Sequence, residues 1–458
     1  MAEEFKHDLP EGMTDWIAEA GGGRITCLER HIARREAWVV DVTRPDGSVA
    51  EYFLRLDREG DGSGTHSVKS EAKVQTALVE TGMKVPAICA WNEDLQAALH
   101  QRMPGRADLD NAEPEEQAAV LDDFIQQLVL LHSLDPHSLG LDHMSIPSTS
   151  AECALGEIEF VEQFLGGMVT DPLYTYSLQW IRNHVPERLD RVSLLQGDTG
   201  PANFMFHEGQ VSAIVDWEWA HFGDPMEDFG NICTREFFCP STPDDGLAPL
   251  FRRYEELSGF PVRLDSVRYY RVQQFVRSIV SLARVTEIND PQMPNGMNRA
   301  YRYICERATC EALADAMGID LQRPEMSELS ELSENTMASS LEGVVVRNLR
   351  DDVLPAVDGG FPRHRLEHAA LLVECLDRQK QLGPHLAGIE LDEIAALTGR
   401  RAHSLDDGLI ELDHAIQGWG SENEVEVLRY LARRAWRLEY LWKPVVDLFP
   451  DRKFSRID

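Results

Sequence analysis

Positive charge is scarce in this chain. Lys and Arg total 44 against 78 Asp and Glu, for a formal net charge of −34. With so few cations and no basic stripe, nucleic acid is not an expected partner, and the acidic excess reads first as a solvated surface. Long apolar runs are missing too. No stretch reaches the roughly 18 apolar residues of a membrane helix, so no membrane partner is expected. The eight cysteines (Cys27, Cys89, Cys153, Cys233, Cys239, Cys305, Cys310 and Cys375) never form a Cys-x-x-Cys pair. That argues for reduced core thiols over a metal knuckle or disulfide framework. There is no Gly-x-x-x-x-Gly-Lys-Ser/Thr element, which excludes a P-loop. The opening Met1-Ala-Glu-Glu carries no apolar signal region, so the expected compartment is the cytoplasm.

What is present is concentrated in one stretch. Leu195-Gln-Gly-Asp-Thr-Gly-Pro-Ala-Asn-Phe-Met-Phe206 is followed by Val211-Ser-Ala-Ile-Val-Asp-Trp-Glu218. Two short hydrophobic segments, 204–206 and 211–215, bracket a turn at 207–210 and should pair as a hairpin. The hairpin returns the carboxylate of Asp216 to the neighbourhood of Asp198 and Asn203. Phosphoryl transfer from a nucleotide uses such a trio. One carboxylate orients an attacking hydroxyl and takes its proton, and oxygen ligands hold Mg²⁺ on the phosphates. Asp-x-x-x-x-Asn alone is a weak signal in so acidic a chain, because Gly197 and Gly200-Pro201 already read as a turn. The sequel strengthens it. Asp216 ends a buried-looking strand, where a carboxylate is costly without a partner or a role, and Gly223-Asp-Pro-Met-Glu-Asp228 adds a second acidic turn.

Taken together, Gln196-Gly-Asp, Asn203, Ile214-Val-Asp-Trp-Glu218, Gly223-Asp-Pro and Asp228 resemble the aminoglycoside phosphotransferase family, which shares the protein-kinase-like fold. The wording around 196–204 and 220–228 is most similar to the branch associated with acyl-CoA metabolism. The resemblance implies an α+β, two-lobed kinase-like fold, Asp198 as catalytic base, Asn203 and Asp216 as Mg²⁺ ligands, and Asp228 as an acceptor bracing the catalytic loop. One departure stands out: Gln196 occupies the place of the family's usual His. A Gln amide both donates and accepts, so it can serve as the same scaffold.

Upstream, 24–30, 37–42 and 50–56 alternate as three strands of a small sheet. The segment 31–36 falls where kinases place the loop over the phosphates, yet it contains no glycine. By position, Arg55 stands where kinases carry the phosphate-gripping Lys, and a permanent guanidinium can keep that role. Its expected partner is Glu71 on a helix over 67–82. Main-chain groups between Gln101 and Met103 are expected at the adenine edge, with ATP as donor and GTP an open alternative.

Helices are expected at 113–134, 174–184, 249–258 and 264–286 from their apolar spacing. Arg268, Arg271, Arg277 and Arg284 stud the last of these, either as a cationic rim for a CoA phosphate or as a solvated face. At 458 residues the chain exceeds one typical domain. The expected division is a nucleotide lobe at 1–104, a catalytic and substrate lobe at 105–325, a polar linker at 326–339 and an all-α helical bundle at 340–458. The bundle resembles a helical domain of unassigned function that trails such phosphotransferases, and it could serve packing, partner docking or a homodimer. The expected function is a Mg-ATP-dependent small-molecule kinase phosphorylating a substrate hydroxyl, with a hydroxyacyl-CoA favoured as acceptor. The alternatives are an aminoglycoside- or macrolide-type antibiotic phosphotransferase and a catalytically reduced kinase fold used for binding.

Overall fold

A computed structural model describes residues 9–31, 37–57, 66–165, 171–243, 246–289, 293–326, 340–358, 360–450 and 452–458. Most of the expected phosphate loop (32–36) and of the expected linker (327–339) lies outside the described residues. The described chain gathers into two units. The first comprises residues 1–153, 187–267 and 453–458, and the second residues 154–186 and 268–452.

The first unit begins with a short helix, α1 (Met13–Gly21), that the sequence reading did not anticipate. Five antiparallel strands follow: β1 (Arg24–Arg30), β2 (Ala37–Thr43), β3 (Val49–Leu56), β4 (Ile88–Asn92) and β5 (Ala97–Gln101), in spatial order β1-β2-β3-β5-β4. Alternation along the strands decides which face is dry. Trp38, Val40 and Val42 of β2, Tyr52, Leu54 and Leu56 of β3, and Ala97 and Leu99 of β5 form one apolar core with Met13 and Ile17 of α1. Arg55 lies on the opposite face of β3, where α2 (Val68–Val79) arrives. The Ser67 side chain caps α2 by accepting from the Ser70 N–H at 3.2 Å, as serine does at an N-cap.

The same unit holds α3 (Pro114–Ser133), the strand pair β6 (Ser193–Leu195) with β9 (His221–Gly223), and the hairpin β7 (Phe204–His207) with β8 (Gln210–Ile214). The hairpin turn puts Glu208 at φ 51° and Gly209 at φ 76°. Two left-handed residues make a turn whose twist matches that of the strands. Helices α6 (Met226–Phe238) and α7 (Ala248–Ser258) follow. The last six residues return to this unit: Phe454 packs on Phe237 with ring centroids 4.9 Å apart, and the Leu247 N–H donates to the Arg456 carbonyl at 2.8 Å.

The second unit is helical. It contains most of α4 (Ser150–Leu165) and α8 (Leu264–Ile288), together with α5 (Pro172–Asn183), α9 (Asn295–Met317), α10 (Leu341–Arg347), α11 (Phe361–Thr398), α12 (Leu405–Gly418), α13 (Glu424–Leu441) and the short α14 (Lys443–Val446). Ala300, Cys375, Leu382, Leu386, Leu441 and Trp442 share one core cluster, and Arg307 of α9 donates to Glu439 of α13 at 2.8 Å. Thus most of α8 and all of α9, which fall within the expected catalytic and substrate lobe at 105–325, group with the C-terminal helices. Three of the four α8 arginines meet neither expectation cleanly. Arg268 and Arg271 both pair with Asp315, and Arg277 stands 3.9 Å from Glu157. The Arg271 and Arg277 side chains are each only 3% exposed, so they are internal ion-pair members of the second unit and not a cationic rim.

Candidate active site

The hairpin does what its spacing implies. The Val215 N–H donates to the Asn203 carbonyl at 3.0 Å, so the chain after β8 lies against the chain before β7. The Asn203 amide nitrogen donates to the Asp198 carbonyl oxygen at 2.7 Å and to its Oδ2 at 3.0 Å. Its side-chain oxygen, Oδ1, accepts no hydrogen bond among the described residues. Asp216 follows with φ 62°, a left-handed conformation that Asp and Asn tolerate best among residues with a Cβ.

Gln196 ties the two halves together. Its side-chain nitrogen donates to the carbonyls of Val215 at 3.0 Å and Asp216 at 2.7 Å, and its side-chain oxygen accepts from the Asp198 N–H at 3.0 Å. A neutral imidazole has one donor and one acceptor, so Gln covers more of these backbone groups than His can. The departure from the usual His leaves the scaffold intact.

Asp228, at the start of α6, is fully buried beneath the loop. It accepts from the Gln196 N–H at 3.3 Å, the Gly197 N–H at 3.1 Å and the Thr199 hydroxyl at 2.5 Å. His132 of α3 stands 3.1 Å away on the other side and meets the Tyr254 hydroxyl at 2.9 Å. Burial pushes the His132 imidazole below its ordinary pKa, against the pull of Asp228. The neutral ring then donates from Nε2 to Asp228 and accepts at Nδ1 from Tyr254. Burial works to raise the Asp228 carboxyl, but His132, Thr199 and Gly197 outweigh it and hold the pKa below the usual value. Gly197 is required here: at φ 80°, a Cβ would stand 2.0 Å from the Trp219 carbonyl oxygen.

Arg55 is the second hub. One terminal nitrogen donates to Glu71 at 3.0 Å and to Asp216 Oδ1 at 2.9 Å, and the other donates to Glu218 at 3.0 Å. Burial disfavours the charged guanidinium, but Glu71, Asp216 and Glu218 more than compensate and raise its pKa. The Arg55–Glu71 pair was expected from sequence, and Glu218 as a third anchor was not. Its place follows from the left-handed turn at Asp216, which no spacing rule announces.

Of the residues named from sequence, Asp198, Asn203, Asp216, Arg55 and Glu71 form one connected constellation. Gln101 and Met103 stand apart from it. Gln101 ends β5 opposite Tyr52 and donates its N–H to the Ala87 carbonyl at 2.8 Å. Arg235 of α6 was missed: its Nε donates to Asp198 Oδ1 at 2.9 Å and a terminal nitrogen pairs with Oδ2. A signal did exist, since Arg235 lies two helical turns after Asp228 and therefore on the same face.

No cluster of three His, Cys, Asp or Glu able to hold a metal occurs among the described residues. Mg²⁺ does not need one, because it takes one or two protein oxygens and completes its shell with water and substrate phosphates. The Asn203 carbonyl and the Asp216 carboxylate are hard oxygen donors of that kind, so the site fits the ion. No helix among the described residues is long and apolar enough to cross a membrane.

Comparison with known proteins agrees with the geometry. A model of the phosphotransferase enzyme family matches residues 33–265. Acyl-CoA dehydrogenase family member 11 of Rattus norvegicus is 27% identical over 220 residues, covering 45% of this chain and 27% of that protein. The Gallus gallus protein of that name is 30% identical over 204 residues, covering 42% of this chain and 26% of its own length. The chain thus spans little more than a quarter of the length of these curated relatives. A crystal structure from Ralstonia eutropha JMP134, provisionally named an aminoglycoside phosphotransferase, superposes with a TM-score of 0.51 at 20% identity over 68% of this chain and 98% of that one. That likeness shows the fold: the α+β, kinase-like arrangement expected from sequence, with helices added toward the C-terminus.

Proposed function

The chain belongs to the phosphotransferase enzyme family, and from that premise we propose that it transfers the γ-phosphate of ATP to a hydroxyl group of a small molecule. The observation that carries this reading is the meeting of Asp198, Asn203 and Asp216 around one loop, with Arg55 bonded to both Glu71 and Asp216. Asp198 is assigned as the carboxylate that orients the hydroxyl and receives its proton. Asn203 and Asp216 are assigned to Mg²⁺, which when bound neutralises phosphate charge. Arg55, whose terminal nitrogens donate to Glu71, Asp216 and Glu218, is assigned to the phosphates as a fixed positive charge beside them. The adenine edge is assigned to the main chain between Gln101 and Met103. The Gln101 N–H, already given to Ala87, is not one of those contacts.

The acceptor we favour is a hydroxyacyl-CoA. The support is the match to two relatives named acyl-CoA dehydrogenase family member 11. A dehydrogenase-linked kinase would convert an acyl-chain hydroxyl into a better leaving group. Arg268, Arg271 and Arg277 are paired with carboxylates, which weakens the case for them as the cations of a CoA phosphate. Incubating the full chain with Mg-ATP and, separately, a hydroxyacyl-CoA series and an aminoglycoside series tests the assignment by mass spectrometry. A phosphorylated acyl-CoA supports it. Phosphorylated aminoglycoside with untouched acyl-CoA moves the chain to the antibiotic-modifying reading.

A further inference from the structure

Arg235 has no place in the roles assigned above, yet it pairs with both carboxylate oxygens of the assigned base, Asp198. Its Nε donates to Asp198 Oδ1 at 2.9 Å, a terminal nitrogen pairs with Asp198 Oδ2, and Asn203 adds a third donor to Oδ2 at 3.0 Å. Both carboxylate oxygens are therefore held side-on by one planar fork, which fixes the carboxylate plane as a single hydrogen bond cannot. The Arg235 side chain is 24% exposed and that of Asp198 15%, so the pair is partly shielded from water and its geometry is not a surface accident.

The loop is shaped to receive this arginine. Gly200 has φ 137°, and a Cβ there would stand 2.8 Å from the Arg235 Cβ and 3.3 Å from the Ile232 Cα. Asp228 and Arg235 lie two turns apart on one face of α6. The first collects the loop's backbone and Thr199 donors, and the second holds the loop's functional carboxylate. A single helix face thus sets both the position of the loop and the aim of Asp198. Among the described residues, the remaining terminal nitrogen of Arg235 makes no hydrogen bond.

Electrostatics supplies a reason for such a clamp. In phosphoryl transfer the incoming hydroxyl oxygen bonds to the γ-phosphorus as the bond from phosphorus to the β,γ-bridging oxygen breaks. ADP leaves with that electron pair, and the hydroxyl proton passes to the Asp198 carboxylate and then to solvent. The transferring group spreads negative charge over its outer oxygens. An unpaired carboxylate beside it repels that charge. We propose that Arg235 is a positioning residue for Asp198: it fixes the carboxylate's orientation toward the hydroxyl and offsets its negative charge at the transferring phosphoryl. Burial disfavours the Arg235 charge, but Asp198 and Asp216 together raise its pKa, so the cation persists through the working pH range.

The inference rests on the phosphotransfer reading, and the test separates the two. ADP release from Mg-ATP is measured for the full chain with a hydroxyacyl-CoA and with water alone as acceptor, alongside nucleotide affinity from a fluorescent ATP analogue. For Arg235→Ala, kcat is expected to fall roughly 10²–10³-fold, the range for loss of one preorganised electrostatic donor, with nucleotide affinity changed less than about threefold. Millimolar guanidinium should restore at least about tenfold of the lost rate, and urea at equal concentration should not. A purely structural arginine gives no such rescue. Arg235→Lys keeps the charge without the fork and should fall between the two. If Arg235→Ala does not fold, Arg235→Lys and Arg235→Gln carry the same comparison. Full activity in Arg235→Ala, or loss of nucleotide affinity with kcat retained, overturns the role of Arg235 while Asp198→Asn remains inactive. Undiminished ADP release by Asp198→Asn, or none by the unaltered chain, overturns the phosphotransfer reading itself.

Discussion

Replacing Gln196 tests the scaffold directly, because the residue's contribution can be counted. Its side chain, buried with the loop, satisfies three backbone groups: the carbonyls of Val215 and Asp216 and the N–H of Asp198. Gln196→Ala leaves all three without that partner. At about 1 kcal/mol for each orphaned group, the cost is about 3 kcal/mol. Gln196→His retains one donor and one acceptor, so it should cost about 1 kcal/mol, the value of the one carbonyl left over. Hydrogen exchange of the 195–206 segment reads this locally, without assuming that the two units unfold together. Since about 1.4 kcal/mol is a factor of ten, the Ala variant should exchange roughly 100-fold faster there and the His variant about fivefold faster. Activity should follow the same order. Exchange in Gln196→Ala indistinguishable from the unaltered chain refutes the count. So does a His variant as perturbed as the Ala variant.

Further outcomes follow from individual groups. Asp216→Asn should weaken Mg-ATP binding at least about tenfold in calorimetry, because it removes an anionic ligand from the metal. Asn is the clean substitution because it tolerates the left-handed backbone at φ 62° that would strain Ala. Asp224 is held near pKa 7, chiefly by burial and further by Glu227, against the Met226 N–H. A carboxyl whose folded pKa is raised contributes stability that is whole below about pH 4 and lost as pH rises through about 7. Asp224→Asn should therefore remove that decline, which amounts to about 4 kcal/mol at most, and denaturation at pH 5 and pH 8 checks it. Phe454→Ala, which strips a half-buried ring from Phe237 of α6, should destabilise the first unit by about 1–2 kcal/mol. Protease cleavage near α6 that does not increase would contradict that estimate.

The legible part of the chain is the part whose partners are close in sequence or fixed by a ladder. Asp198, Asn203 and Asp216 could be brought together because a hairpin of known turn length joins them. Arg55 could be placed because strand alternation turns it away from the Trp38 and Leu54 core. Illegible were contacts between elements that only tertiary packing joins. Arg235 meets Asp198 from a helix, α6, that was not expected from sequence beyond the acidic turn ending at Asp228. Glu218 meets Arg55 after a left-handed residue, Asp216, which period-based reading does not foresee. Arg268 and Arg271 of α8 could not be paired from their own helix, because their partner, Asp315, lies more than 40 positions away. The grouping of α9 with α13 likewise depends on pairs such as Arg307 with Glu439, which neither segment announces alone.

The central claim, that Asp198 directs transfer of a phosphoryl group to a hydroxyl, is tested most directly by following the γ-phosphate itself. The full chain and its Asp198→Asn variant are given Mg-ATP labelled in the γ-phosphate together with a hydroxyacyl-CoA, and the label is traced to organic ester, inorganic phosphate or unreacted nucleotide. The account predicts label in an organic phosphate ester for the unaltered chain, at least about 10²-fold less ester for Asp198→Asn, and labelled nucleotide bound equally by both. Ester formed at the same rate by the variant, or label that never leaves ATP with any hydroxyl acceptor, would contradict it.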